Sequence, residues 1–308
     1  MINILFNLAF LYTNNRLVAD TFLSMNEKLK SPLVTTDWLS KNIRNPLLRV
    51  VDASWYLPAM ERNGHLEYKE AHIPGAFFWD IDMIAARDTS LPHMLPTLED
   101  FQKHMDHLGI ENETTVIVYD GFGLFTAARP WWMLRIFGHE KVFVLDGGLP
   151  KWKAEERKIE TAEPKSLKTQ FKANFNEKLV RTTNDIIENL ESKNEQILDA
   201  RPASRFFAEE PEPRTDCRSG HIPGALNLPF DQLLDPKTKT VLSNKFLEDK
   251  FYEAGINLNK PVITSCGSGV TACVLAFALY LLDKRDVGVY DGSWSEWGTN
   301  ESLPIETD

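Results

Sequence analysis

One short stretch of the chain combines a nucleophile with a backbone suited to holding an anion. Residues 266–272 read Cys-Gly-Ser-Gly-Val-Thr-Ala and follow an apolar run typical of a buried strand. Two glycines permit a tight loop whose N–H groups turn inward, and a helix is expected to begin near Val270. These dipoles and the positive end of the helix favour a thiolate over a thiol. Cys266 is therefore the candidate nucleophile; the alternative is a small buried residue at a strand end.

The other two cysteines have weaker chemical contexts. Cys273 lies among apolar residues, which predicts a core position inside the helix. Cys217 lies in a polar stretch, which predicts an exposed side chain that is incidental to the chemistry. Three cysteines in 308 residues do not make a disulfide framework, so a reducing compartment is favoured.

The candidate nucleophile belongs to the second of two similar halves of the chain. Four landmarks recur in the same order at offsets of 145 to 149 residues. They are an apolar-Asp-Ala run at 50–53 and 197–200, His-Ile-Pro-Gly-Ala at 72–76 and 221–225, a central apolar strand at 116–120 and 262–266, and an Asp-Gly…Trp segment at 146–152 and 291–297. Such self-similarity predicts two copies of one domain. The predicted division is an extension at 1–30, domain 1 at 31–153, a linker at 154–178 and domain 2 at 179–308.

Strands and helices alternate within each copy. Continuous apolar runs predict buried strands, as at 116–119 and 261–265. Apolar residues at helical spacing predict helices, as at 98–108 and 270–282. The fold class is therefore α/β, and each copy is expected to be a small parallel sheet with helices on both faces. Ligands of such sheets bind at the carboxyl ends of the strands, where Cys266 lies.

Composition narrows the class of partner. Lys and Arg total 34 against 44 Asp and Glu, and the net charge of −10 argues against a general nucleic-acid binder. A small anionic substrate remains possible because a few arginines can set the local field. Outside the extension no segment approaches about eighteen consecutive apolar residues, so no membrane partner is expected. The sequence contains no metal-ligand pattern or nucleotide motif, which predicts neither a metal nor a cofactor.

The N-terminal extension contains one apolar stretch, 2–11, which is too short to cross a bilayer. No basic residue precedes it, as a secretory signal would require, and Arg16 is the only basic residue before Lys28. We interpret residues 1–30 as lying outside the fold, with at most a weak targeting signal. Translation from Met25 would remove the apolar stretch. The predicted location is mitochondrial or cytoplasmic.

The repeat, the paired His-Ile-Pro-Gly-Ala segments and the 266–271 loop together resemble the tandem-domain rhodanese superfamily. The loop is most similar to that of the 3-mercaptopyruvate sulfurtransferase branch, and the resemblance covers roughly residues 33–300. It implies an inactive first domain, a catalytic second domain and an active site in the cleft between them. Asp120 occupies the position of Cys266 in the first copy, which agrees with an inactive first domain.

The resemblance also implies which residues bind the sulfur donor. Thiosulfate sulfurtransferases typically carry basic residues after the cysteine, but this loop has Gly267 and Ser268. That favours a donor whose charge lies further from the sulfur, as in mercaptopyruvate. The segment Arg-Phe-Phe-Ala-Glu-Glu-Pro-Glu-Pro-Arg is similar to one that supplies two substrate-binding arginines, here Arg205 and Arg214. The chain then departs from the family pattern, because residues 215–217 read Thr-Asp-Cys instead of beginning Asp-Gly.

The implied reaction has two steps. The Cys266 thiolate takes the donor sulfur as a persulfide while pyruvate leaves, and a thiol, a thioredoxin-like protein or cyanide then accepts the sulfur. The loop is expected to stabilise the anionic sulfur and bind substrate. Beside the two arginines, the residues assigned to this role are Gly267, Gly269, Val270 and Thr271.

A proton relay is also carried over from the family. It comprises Ser268 and the histidine of the first His-Ile-Pro-Gly segment, His72, together with an acidic residue. The acidic position falls near Asn63, which has no carboxylate, and Glu61 is the available substitute. His221 occupies the matching place in the second copy, so a structural role is the alternative for His72.

Three other functions are alternatives to sulfur transfer from mercaptopyruvate. A phosphatase with a cysteine loop needs an arginine six positions after the cysteine, where this chain has Ala272. A thiosulfate sulfurtransferase is the main enzymatic alternative. A non-enzymatic rhodanese-like binding protein is disfavoured by the intact Cys266 loop. The sequence does not indicate the oligomeric state.

Overall fold

The computed structural model describes residue 29 and residues 31–165 and 169–308. Most of the predicted N-terminal extension therefore lies outside the described residues. The described chain forms two five-stranded sheets with helices around them, which confirms the predicted α/β fold class.

Domain 1 alternates strands and helices along the chain. Its elements are β1 (Leu33–Val34), α1 (Thr36–Asn42), β2 (Leu48–Asp52), α2 (Gly64–Glu70), β3 (Phe77–Phe78), α3 (Leu98–His107), β4 (Thr115–Tyr119), α4 (Ala128–Ile136), β5 (Val142–Leu145) and α5 (Gly148–Ala154). The Thr97 side chain accepts a hydrogen bond from Asp100 N, so α3 has the polar N-cap that its sequence predicts.

Domain 2 repeats the same succession. Its elements are β6 (Val180–Arg181), α6 (Thr183–Ser192), β7 (Gln196–Asp199), α7 (Ala203–Phe206), β8 (Leu226–Asn227), α8 (Asn244–Glu253), β9 (Val262–Ser265), α9 (Ala272–Leu281), β10 (Gly288–Tyr290) and α10 (Ser293–Trp297). Helix α9 begins two residues later than the sequence predicts, and residues 266–271 form the loop before it.

Both sheets are parallel and share one strand order. The order is β1-β5-β4-β2-β3 in domain 1 and β6-β10-β9-β7-β8 in domain 2. In the central pairs, Val50 lies opposite Ile117 and Ile197 lies opposite Ile263. The loops after β4 and β9 therefore occupy equivalent places in the two domains.

Helices cover both faces of each sheet because neighbouring strand residues point to opposite sides. In domain 1, Val50 packs in a cluster with Leu39 of α1 and Trp152 of α5. Val51 belongs to a different cluster, which includes Phe101 of α3. Buried residues on both faces explain why the strands read as continuous apolar runs.

The two domains share an apolar interface. The first copy's α4 packs against α9 of the second, and the rings of Trp131 and Phe277 meet edge to face at 4.8 Å. One buried cluster extends through this interface into both domains. The interface fixes the loop before α9 relative to side chains of domain 1.

The segment predicted as a linker packs on domain 1. Glu160 forms an antiparallel bridge with His72, and the Phe171 ring meets Phe101 of α3 at 5.8 Å. Asn174 N donates to Phe137 O just after α4. This segment is bonded to domain 1 at several points, and its Lys- and Glu-rich composition reflects the side chains that face the solvent. Among the described residues no helix is long and apolar enough to cross a membrane.

Candidate active site

The cysteine loop lies at the carboxyl end of β9, where the sequence places it. The Cys266 side chain is buried, and residues in the first turn of α10 form hydrogen bonds with the loop. The Ser293 hydroxyl accepts hydrogen bonds from Cys266 N and Gly269 N, both at 3.1 Å. Trp294 N and Ser295 N donate to the carbonyls of Cys266 and Gly267. The loop conformation is therefore set by the Asp-Gly-Ser-Trp segment that also marks the repeat.

Other N–H groups of this loop remain free of protein acceptors. Within the described residues, the amides of Gly267, Ser268, Val270 and Thr271 bond no protein oxygen. A positive φ of 72° at Gly269 turns the chain so that a side chain there would meet the Asp291 carbonyl. Unpaired amides around a sulfur can stabilise a thiolate or a persulfide anion.

Ser268 contacts a histidine from the other domain. His93 Nδ1 lies 3.0 Å from Ser268 Oγ, and His93 Nε2 lies 3.1 Å from Asp82 Oδ1. Both His93 and Ser268 are buried, and the bond from His93 holds the pKa of Asp82 below its usual range. The Trp55 indole donates to the other Asp82 oxygen and meets the His93 ring at 4.9 Å. Domain 1 thus supplies an acid–histidine pair to the serine of domain 2.

His72, which the family resemblance assigned to the relay, is in another place. Its Nδ1 lies 2.7 Å from Tyr68 O and its Nε2 lies 3.3 Å from Ala162 O, so both nitrogens face backbone carbonyls. The ring is buried and stacks on Tyr68. His221 in domain 2 also stacks on an aromatic ring, that of Phe206, and its Nδ1 lies 2.9 Å from Phe206 O. The assignment of His72 is corrected to the structural alternative, and the histidine that reaches Ser268 is His93.

The proposed acidic partners of His72 are corrected with it. The Asn63 side chain caps α2 by accepting from Leu66 N, and Glu61 is exposed. The carboxylate at the site is Asp82, which follows the short strand β3. Asp82 lies at the carboxyl edge of the sheet, and His93 has no histidine counterpart in the second copy. These two features were the sequence signals for this pair.

Arg205 and Arg214 both lie beside the cysteine loop. A Cβ built on Gly267 would be 3.4 Å from Arg205 Nη2 and 4.0 Å from Arg214 Nη1. The structure therefore brings two guanidinium groups to a loop that carries no basic residue of its own. Two arginines beside an uncharged loop can bind a carboxylate held at a distance from the sulfur.

A buried carboxylate, which the sequence reasoning missed, orients Arg205. Glu212 Oε2 accepts from Arg205 Nη2 at 2.5 Å, and Glu212 Oε1 accepts from Arg205 Nε at 3.1 Å. The same Oε1 accepts from Arg201, which also pairs with Asp199. Within the described residues the Arg214 side chain has no carboxylate partner, so Arg214 carries the uncompensated positive charge of the pair.

The remaining cysteines are poor nucleophiles. Burial raises the pKa of Cys273 to about 12, and its thiol donates to Gly269 O at 3.2 Å. Cys217 is half-buried rather than exposed, because its sulfur packs between Trp294 and Gly298. Burial raises the pKa of Cys217 to about 11. Both remain thiols near neutral pH.

Fold and site together define a two-domain α/β protein with a buried cysteine at the domain interface. The rhodanese-like domain family matches residues 35–155 and 182–300. The Arabidopsis thaliana protein "Thiosulfate/3-mercaptopyruvate sulfurtransferase 1, mitochondrial" is 47% identical over 301 residues, covering 90% of this chain and 78% of that protein. The Escherichia coli (strain K12) 3-mercaptopyruvate sulfurtransferase is 43% identical over 274 residues, covering 89% of this chain and 97% of that protein.

A solved structure agrees with these relatives. The crystal structure of SseA from Escherichia coli, described with the rhodanese fold of 3-mercaptopyruvate sulfotransferases, superposes with a TM-score of 0.79 at 41% identity. The match covers 86% of this chain and 99% of SseA. The chain therefore belongs to the rhodanese family, in the form with two tandem domains.

Proposed function

We propose that this protein transfers sulfur from 3-mercaptopyruvate to a thiol acceptor through a persulfide on Cys266. One observation carries the proposal: the cysteine loop has two arginines beside Gly267 and the Ser268–His93–Asp82 contacts at the next residue. The arginines suit the donor's carboxylate, and the serine–histidine pair suits the proton of its thiol. The rhodanese relatives named above support the same reaction.

In the first step the Cys266 thiolate attacks the donor sulfur and an S–S bond forms. The carbon–sulfur bond breaks, and its electron pair passes to carbon to give the enolate of pyruvate. The proton of the donor thiol passes through Ser268 to His93 and then to that carbon. The products are an anionic Cys266 persulfide and pyruvate, so atoms and charge balance.

Each partner of the relay has a separate role. With a proton on Nε2, His93 donates to Asp82 and leaves Nδ1 free to accept from Ser268. Asp82 thereby fixes the ring orientation and stabilises the imidazolium while the proton is in transit. The loop amides at Gly267, Ser268, Val270 and Thr271, which bond no protein oxygen among the described residues, stabilise the negative charge on the outer sulfur, whereas Gly269 N donates to the Ser293 hydroxyl.

The donor is oriented by the arginines. Arg205, held by Glu212, presents a fixed pair of N–H groups to the carboxylate or keto oxygen, and Arg214 adds the uncompensated charge. A donor bound this way places its sulfur towards Cys266.

The second step returns the enzyme to its starting state. An acceptor thiolate attacks the outer sulfur, the S–S bond breaks, and Cys266 leaves as a thiolate. A small thiol, a thioredoxin-like protein or cyanide can serve as acceptor. The cysteines of the described chain are free thiols, which suits the reducing mitochondrial or cytoplasmic location that we propose.

Thiosulfate is the alternative donor, because two guanidinium groups beside Gly267 can also bind an inorganic dianion. The test measures kcat/KM for both donors with one acceptor and the same protein. We expect 3-mercaptopyruvate to exceed thiosulfate by about tenfold or more, since its carboxylate reaches the arginines while its sulfur reaches Cys266. The reverse ranking would overturn the donor assignment, and transfer from neither donor would favour a binding protein.

A further inference from the structure

One arginine of domain 1 is fully buried where the two halves of the site meet. Arg129 lies in the first turn of α4, and its side chain is 0% exposed. Its Nη1 donates to Gly269 O at 3.1 Å. Its Nη2 donates to His93 O at 2.5 Å and to Asp291 Oδ1 at 2.7 Å. One guanidinium therefore bonds the cysteine loop, the His93 segment and the residue that follows β10.

Asp291 extends this connection from domain 2. While Oδ1 accepts from Arg129, Oδ2 accepts from Leu95 N at 2.9 Å. The segment that carries His93 is thus held at the His93 carbonyl by the arginine and at the Leu95 amide by the carboxylate. The His93 backbone has a φ of 61°, a left-handed conformation that residues other than glycine adopt rarely. A strained backbone of this kind persists only where surrounding contacts hold it.

Stability is a weak reason for an arginine in this place. A buried ion pair loses much of its attraction to desolvation, and apolar residues of similar size often serve as well. Within the described part of the chain the Arg129 Nε has no hydrogen-bond partner, which adds to the cost. The loop also requires glycine here, because a Cβ on Gly269 would lie 3.0 Å from Arg129 Nη1. Arg129 is therefore better explained by the positions in which it holds its hydrogen-bond partners than by a gain in folding stability.

We propose that Arg129 is a positioning residue for sulfur transfer. By bonding Gly269 O and His93 O together, it sets the separation between Ser268 Oγ and His93 Nδ1, which is 3.0 Å. The inference rests on the proposed function for its catalytic consequence. It explains why a domain without a nucleophilic cysteine contributes a buried cation to the active site.

The main test is Arg129→Lys, which keeps a positive charge near Asp291 but loses the planar fork that reaches two carbonyls. We expect kcat for 3-mercaptopyruvate to fall by about tenfold or more, while KM changes less than about threefold because Arg205 and Arg214 are untouched. The pH profile of kcat should also change, since His93 no longer meets Ser268 correctly. An unchanged kcat and pH profile in the folded variant would overturn the proposal.

Arg135→Lys is the matched control. Arg135 lies in the same helix, is nearly buried, pairs with Glu140 at 3.3 Å and stacks over Tyr280 of domain 2 at 4.2 Å. It touches neither the cysteine loop nor the His93 segment. Arg135→Lys should lower the melting temperature and leave kcat and its pH profile unchanged. Equal loss of kcat in both variants would reduce Arg129 to a general interface residue and overturn the proposal.

A double variant shows whether Arg129 acts through His93. In a His93→Ala background, Arg129→Lys should lower kcat by less than about threefold, because the contact it positions is already absent and only its bond to the loop at Gly269 O is lost. A full tenfold loss in that background would contradict the proposal. If Arg129→Lys does not fold, Asp291→Asn takes its place, since it weakens the Leu95 bond and the charge pair while keeping an acceptor for Arg129.

A reactivity assay separates this inference from the proposed function. The rate at which iodoacetamide alkylates Cys266 requires no sulfur donor. It should fall in Arg129→Lys and stay at the wild-type value in Arg135→Lys, because only the first change releases the loop at Gly269. Wild-type protein inactive with both donors would refute the proposed function. Equal alkylation rates in all three proteins would refute the positioning role.

Discussion

The loops after β4 and β9 occupy equivalent places in the two domains, but one begins with an aspartate and the other with a cysteine. In domain 1 the loop begins with Asp120, whose carboxylate accepts hydrogen bonds from five backbone amides. In domain 2 the loop begins with Cys266, and several amides of that loop bond no protein oxygen within the described chain. Both side chains are buried at the end of the central strand.

The comparison shows that this loop is an anion-binding structure. Domain 1 fills it permanently with a carboxylate, which occupies five of its amide donors. Domain 2 places the Cys266 sulfur there, and we propose that this sulfur accepts the transferred sulfur atom. The first copy is not idle, since it supplies Asp82, His93 and Arg129 to the second copy's loop.

Of the substitutions that test this comparison, Cys266→Ser is expected to lower sulfur transfer the most. A serine hydroxyl is not ionised at neutral pH and cannot form a persulfide, so sulfur transfer should fall by roughly 10³-fold or more. The persulfide is detected by mass spectrometry after donor addition, together with the rate of pyruvate release. Cys217→Ser is the control and should retain wild-type turnover. Persulfide detected on the Cys266→Ser variant would move the chemistry to another cysteine.

A smaller effect is expected from the histidine that domain 1 contributes. His93→Ala removes the proton acceptor of Ser268, and general acid–base catalysis is typically worth about 10²–10⁴-fold. We therefore expect kcat to fall by about 10²-fold with little change in melting temperature. Stopped-flow measurement of pyruvate release tests the first step directly.

His72→Ala should show the opposite pattern. Its ring nitrogens face the carbonyls of Tyr68 and Ala162, so their loss should cost about 1–3 kcal/mol of unfolding free energy and leave kcat unchanged. Urea denaturation and steady-state kinetics separate the two variants. A normal kcat in His93→Ala with a low kcat in His72→Ala would return the relay to His72.

A second pair of positions differs between the domains in charge compensation. Asp199 in domain 2 pairs with Arg201 at 2.8 Å, whereas Asp52 in domain 1 has Ser54 in the place of that arginine. Asp52 is buried, and among the described residues it forms no ion pair. Burial, only partly offset by the bonds from Ser54, raises the pKa of Asp52 to about 6.

The smallest expected effect is therefore a pH dependence of stability. The pKa of Asp52 is about 6 in the folded protein and near 3.8 in the unfolded chain. Between these two pH values Asp52 is protonated in the native state and ionised in the unfolded state. The stability from protonated Asp52 is full below about pH 4 and is lost as the pH rises through 6. Asp52→Asn should remove that loss, worth roughly 1–3 kcal/mol at pH 7.

Urea unfolding of the wild type and Asp52→Asn at several pH values from 4 to 8 measures this difference. The gap between the two proteins should widen up to pH 6 and then stay constant. Asp199→Asn is the comparison variant, and it should destabilise the protein at pH 7 because buried Arg201 loses one of its two carboxylate partners. A constant gap at all pH values would show that Asp52 does not titrate with folding.

Much of the architecture could be predicted because its causes are local or repeated. Continuous apolar strands such as β4, capped helices such as α3 and the four repeated landmarks together indicated two parallel α/β domains. Cys266 stood out because strand, glycine loop and helix are consecutive in the chain. The sequence pattern pointed to His72, with a structural role as the alternative, because the repeated His-Ile-Pro-Gly segment is a clearer pattern than His93, which lies alone in a loop and contacts Ser268.

The sequence by itself determined the strand–loop–helix around Cys266 and the two-domain repeat, since both depend on neighbouring residues and on burial. Only the tertiary structure decided which side chains of domain 1 face that loop. Asp82, His93 and Arg129 are brought to Ser268 and Gly269 by the packing of α4 on α9. Contacts between residues more than a hundred positions apart arise from how two apolar surfaces fit together, and no local pattern encodes that fit.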